Sequence, residues 1–254
     1  MFNKILASIG IGAAKVQTKL DGVRYTAGDV VSGIVEVTGG NVEQNIDTIY
    51  ITLYTTYIKE IKDTKYTDKA VITRFTVSEP FTIQANEKRI IPFKFNLPYT
   101  TPISVGKTQI SIQTELDIKM AIDPKDKDYI EVLPSELASG VFNAVSNLGF
   151  RRYNVDCEKA PLRFNTPHPF IQEFEYRPTN SKYRAYLDEL EVTFINQSAN
   201  HIEVLLQIDR RVRGLGSLLS EALEMDESFV RLTFTHSDIE NAESVIQQAI
   251  ERHI

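Results

Sequence analysis

The segment QISIQTELDIKM, residues 109–120, alternates without a break. Ile110, Ile112, Thr114, Leu116 and Ile118 fall on one face, and Gln109, Ser111, Gln113, Glu115, Asp117 and Lys119 fall on the other. A period of two over so many residues predicts a strand with one dry and one wet side. IYITLYTTY, residues 49–57, behaves likewise, with Ile49, Ile51 and Leu53 opposing Tyr50, Thr52 and Tyr54. The same reading places strands at 14–20, 30–37, 69–77, 90–96 and 128–133, with turn sequences such as TAGD, TGGN and QANEK between several of them. Short alternating strands with no helical period between them predict an antiparallel β-sandwich.

The pattern changes at residue 134. In PSELASGVFNAVSNLG, Ser135 is placed to cap a helix, Leu137, Val141, Val145 and Leu148 form its apolar stripe, and Gly149 ends it. Strands resume in FIQEFEYRP, YRAYLDELEVTFI, HIEVLLQID and FVRLTFT. The chain then closes on an amphipathic helix. Its capping box runs from Ser237 to Glu240, and its stripe is Ile239, Ala242, Ile246, Ala249 and Ile250. The expected fold is therefore all-β: one sandwich over 1–133, a linker helix over 134–149, a second sandwich over 150–236 and a terminal helix over 237–254.

Near the start, Phe2, Ile5, Leu6 and Ile9 recur at helical spacing. A single lysine, two interrupting glycines and no clear cleavage site argue against a signal peptide. The stripe is expected to dock on its own domain, with contact to a membrane or a partner as the rival reading. No stretch has the length of a bilayer span.

Charge divides the chain unevenly. Residues 134–254 carry 12 basic and 18 acidic side chains, so the whole net charge of −6 lies there, while residues 1–133 balance. An acidic balance argues against nucleic acid as a partner. The second half also prefers arginine to lysine by 10 to 2, which suits paired carboxylates. The single cysteine, Cys157, excludes an internal disulfide and fits a reducing cytoplasm. Flanked by Asp156 and Glu158, it reads as an unreactive thiol.

Signals for chemistry are few. VGKT at 105–108 lacks the upstream glycine of a phosphate loop and leads into a strand. Asp123, Asp126 and Asp128 have calcium-like spacing, but the mid-loop glycine and closing glutamate are missing. A charged hairpin is the preferred reading of that loop. His168, His201, His236 and His253 share no ligand spacing, and no cofactor is expected. The densest feature is DRRVRGLGSLLSEALEMDE, where Arg210, Arg211, Arg213 and two glycines could face an anion. Asp209 before them and four acids after favour an internal ion-pair cluster.

YTAGDVVSGIVEVTGG, VSEPFTIQANEKRIIPFKFNLPYTTPIS, ELDIKMAIDPKDKDYIEVLP, FIQEFEYRP, LDELEV and DRRVRGLGSLLSEALEMDESFVR together resemble the bacterial sporulation-control family of the stage 0 M type. The likeness extends to about Phe234; Ala27 stands where related turns tend to carry proline. The resemblance implies two arrestin-like sandwiches and no catalysis. It also implies a regulatory scaffold of early sporulation that acts through protein contacts and bears on cell division and stress responses. By the same architectural analogy, Asp188, Glu189, Asp209, Arg210, Arg211 and Arg213 are assigned to a buried interdomain polar network. The expected partners are other proteins, a second copy of the chain among them, with membrane contact secondary. The rival is a membrane-surface or anion sensor using the N-terminal stripe and the arginine-rich turn.

Overall fold

The computed structural model describes residues 12–62, 64–118, 122–211 and 227–254. The fold is mostly β with a short C-terminal helix, as the alternation predicts. Its described residues group into two compact units. The first lies within Met1–Thr56, Lys69–Ser104 and Gln109–Leu133; the second lies within Tyr57–Asp68, Val105–Thr108 and Pro134–Ile254.

In the first unit, β1 (Lys15–Leu20), β3 (Val30–Thr38) and β7 (Lys88–Asn96) form an antiparallel sheet with β3 at its centre. A second sheet runs β2 (Arg24–Thr26), β9 (Lys125–Leu133), β8 (Ile110–Ile118) and β4 (Gln44–Ile61), with β5 (Thr64–Thr76) and β6 (Phe81–Ile83) also paired to β4. All five apolar-face positions of β8, Ile110 through Ile118, are buried. Ile49, Ile51 and Leu53 of β4 and Val31 and Val35 of β3 are buried as well. Thr114, the polar member of that face, is satisfied: the Thr18 hydroxyl donates to Thr114 Oγ1 at 2.6 Å. A buried hydroxyl without such a bond would cost about 1–3 kcal/mol. On the wet face of β4, Lys69 lies over the Tyr54 ring at 3.4 Å and Arg74 over Tyr50 at 3.6 Å. Those tyrosines thus serve as platforms for cations from β5.

The second unit holds a five-stranded antiparallel sheet in chain order: β10 (Arg151–Lys159), β11 (Phe170–Arg177), β12 (Leu187–Gln197), β13 (His201–Arg210) and β14 (Glu227–Thr235). Val155, Phe174, Val192, Leu206 and Val230 stand opposite one another in a row across all five strands. Helix α1 (Glu136–Asn147) covers this face, with Phe142 tilted against Phe174 at 4.7 Å and Phe194 at 5.3 Å. Helix α2 (Ala242–Glu251) packs against α1 and buries Ala242, Ile246, Ala249 and Ile250.

The ends of α1 follow its sequence. Ser135 accepts from the Ala138 amide at 3.2 Å, so the hydroxyl satisfies an orphan donor of the first turn. At the other end the Gly149 amide donates to Ser146 and the Phe150 amide to Val145, the paired bonds of a Schellman motif. Gly149 itself has φ +84°, which any side chain would strain.

Three local expectations are corrected. Residues 151–159 form a strand that alternation did not single out. Lys182–Ala185 is a 3-10 turn, so β12 begins at Leu187 rather than at residue 183. The Ser237–Glu240 capping box is not made: Asp238 accepts from the Thr235 amide, Ile239–Asn241 is a 3-10 turn, and α2 starts at Ala242.

Candidate functional site

The polar residues singled out at 188–213 gather at one end of the β12–β13 ladder. Leu187 pairs with Arg210 and Glu189 with Asp209; the register shift between them makes Asp188 the extra residue of a bulge. The Arg211 amide donates to the Tyr186 carbonyl at 2.7 Å, which holds the chain against the bulge. From there Arg211 Nε donates to Asp188 Oδ1 at 2.6 Å. This ion pair corrects the expectation of burial, because its two side chains are 40% and 49% exposed. A pair in that setting contributes about 0–1 kcal/mol, not the several kcal/mol that breaking a buried network costs. Arg213, like Phe2, Ile5, Leu6 and Ile9, lies outside the described residues. Asp188, Glu189, Asp209, Arg210 and Arg211 all belong to the second unit.

Glu189 leads to a feature that sequence reading missed. On the sheet face opposite the helices, carboxylates stand directly across from carboxylates: Asp156 from Glu173, Glu175 from Glu191, and Glu189 from Asp209. Like charges at opposite positions of an antiparallel pair repel, and here three such pairs occupy four adjacent strands. Burial, aided by Glu158, Glu175, Asp156 and Glu189, pushes the Glu173 carboxyl up to about 7. Burial also raises Glu189, opposed by a hydrogen bond from Tyr153. Asn154 relieves part of the repulsion by donating to Asp156 Oδ2 and Glu175 Oε1, both at 2.9 Å. Arg177 lies over the Tyr153 ring at 4.0 Å and brings a positive charge to the edge of the same face. The alternation in FIQEFEYR shows that Glu173 and Glu175 share a face. Nothing within one strand says which neighbours they meet.

The remaining candidates resolve plainly. Cys157 is buried, and burial raises its thiol to about 11 against a lowering hydrogen bond from Thr108, so it is a poor nucleophile. Asp123 accepts from the Ile118 amide and Asp126 from the Thr18 amide at 2.6 Å. Asp126 and Asp128 sit within β9 rather than in the turn, and Asp126 ties the two sheets of the first unit instead of converging with its neighbours on a cation. No group of three His, Cys, Asp or Glu side chains among the described residues is arranged to hold a metal. His201 bonds the Ser198 hydroxyl at 2.8 Å, and His168 stacks on Phe170. No helix of the described residues is long and apolar enough to cross a membrane.

Comparison with known proteins places this geometry in a family. The SpoOM protein family matches residues 2–212, most of the chain. The chain belongs to that family. The sporulation-control protein Spo0M of Bacillus subtilis (strain 168) is 41% identical over 255 residues, covering 99% of this chain and 98% of that protein. The crystal structure of Spo0M from Bacillus subtilis superposes with a TM-score of 0.85 at 37% identity, covering 96% of this chain and all of the other. The fold described above is therefore shared with that sporulation-control protein.

Proposed function

We propose that this chain is a non-enzymatic regulator of sporulation that works as an adaptor, through contacts with other proteins. The observation that carries the reading is the full-length relationship to a sporulation-control protein, 41% identical with almost no part of either chain left over. Likeness of that extent supports a regulatory role in sporulation.

The adaptor part draws on strand β14. Its register against β13 is continuous from Glu227 to Thr235, and among the described residues it pairs with β13 alone. The strand contains neither proline nor lysine, the residues that commonly blunt a sheet edge. A regular edge of this kind offers main-chain hydrogen bonds to an added strand, with Phe229, Arg231 and Thr233 alternating on one face to set its preference. Cross-linked affinity capture from the host at the onset of sporulation tests this. The wild-type chain should retain a discrete set of proteins, and Thr233→Lys, which places a charge on the edge without touching the core, should reduce their yield severalfold. No protein enriched over a tag-only control would overturn the adaptor reading.

A further inference from the structure

At the C-terminal end of α1 the second unit carries an open groove of about 660 Å³, a volume in the range of small-ligand sites. Arg151 and Arg152 enter it at the start of β10, and Asn143, Ser146, Thr179 and Asn180 supply amide and hydroxyl groups along its sides. No carboxylate lines it. That is a departure from the surroundings, since the acidic residues of this half outnumber the basic ones by 18 to 12.

Two further observations bear on how the positive charge is placed. Arg152 lies toward the Phe142 ring at 5.7 Å and stands across the β10–β11 ladder from Tyr176, which places it at the helix end of the groove. Arg151 pairs with Arg177 across the ladder, on the sheet face opposite the helices, and also lines the groove. The simplest structural role for these arginines would be to cap the carbonyls at the end of α1. Those carbonyls are already occupied: Ala144 accepts from Leu148, Val145 from Phe150 and Ser146 from Gly149. The end of α1 therefore has no need of these arginines as caps.

We propose that this groove binds an oxyanion, the carboxylate or phosphate group of a small ligand, with Arg151 and Arg152 as the charged contacts. Asn180 and Thr179 complete the donor set from the turn after β11. The site is separate from the β14 edge and does not depend on the adaptor reading.

Isothermal titration of the purified chain with citrate and with inorganic phosphate, in buffer of low ionic strength, tests the proposal. At ligand concentrations to about 10 mM, weak-site affinities are measurable. The expected result is saturable one-site binding of at least one probe, weakened about tenfold or more in R151Q/R152Q, the loss of one charge-assisted pair being worth that much. Binding of citrate alone assigns a carboxylate ligand, and binding of phosphate alone assigns a phosphorylated one. Arg151→Gln by itself changes an exposed side chain and serves as the variant whose fold is safest. Arg184→Gln, outside the groove, should bind as the wild type does. Absence of saturable binding by both probes, or equal binding by the wild type and R151Q/R152Q, would overturn it.

Discussion

Glu173→Gln is expected to stabilise the protein at pH 8 by about 2–3 kcal/mol and to change it little at pH 5. The sign follows from the carboxyl's raised position, about 7 in the folded chain against an ordinary 4.5. Between those values the folded form holds a proton that the unfolded form has released. Stability is therefore greatest on the acid side, falls as pH rises through that interval, and levels off above it. The cause is burial together with the groups facing Glu173: Asp156 and Glu158 from β10, Glu175 on β11 itself, and Glu189 from β12. Glutamine keeps the shape and removes the charge. Urea denaturation at half-unit steps from pH 5 to 8 reads the effect directly. The wild type should lose stability across that range, and the variant should lose much less. A wild-type profile that rises with pH, or a variant less stable than the wild type at pH 8, contradicts the account of the acidic face.

The second large effect concerns Gly149. Its φ of +84° lies where a side chain is strained, and a Cβ there would stand 2.5 Å from the Asn180 carbonyl oxygen. Neither can be relieved locally, because the Asn180 amide also donates to the Gly149 carbonyl at 3.0 Å. Gly149→Ala must either break the Schellman motif of α1 or push the turn after β11 away from it. A loss of about 3 kcal/mol is expected, the sum of left-handed strain and a backbone clash. In thermal unfolding that is roughly 6–10 °C for a chain of this size. A Gly149→Ala variant that melts within about 1 °C of the wild type would mean that the helix end is not rigid as described.

What could be read from the sequence, and what could not, follows from where the decisive contacts lie. β8 was legible because one strand buries one face, and its five inward residues declare themselves by spacing alone. The body of α1 and both of its caps were legible for the same reason: Ser135 and Gly149 act within a turn of their own position. β10 was not. In RRYNVDCEK, Tyr153, Val155 and Cys157 do alternate with Asn154, Asp156 and Glu158, but only Val155 and Cys157 are buried and only one of the nine residues is aliphatic, so the apolar signal is weak. The acidic ladder depends on register across four strands, which no single strand encodes. Sequence analysis did locate Asp188 and Arg211 as partners of opposite sign. Their exposure is not legible there, and neither is the bulge at Asp188, a shift of one residue in the β12–β13 ladder that leaves no mark in composition. The unmade capping box at Ser237 shows the same limit at short range, since a 3-10 turn over Ile239–Asn241 delays the helix to Ala242.

The acidic face and the arginine groove share one five-stranded sheet, and they give the second unit two surfaces of opposite sign. A regulator that works by contact has use for both, yet neither defines the role by itself. That role rests on kinship, and kinship can be tested by exchange. The most direct measurement is the frequency of heat-resistant spores in Bacillus subtilis whose own sporulation-control protein has been replaced by this chain. The account predicts sporulation close to that of the parent strain. Sporulation that stays at the level of the deletion strain, while the folded chain accumulates normally in the cells, would contradict it.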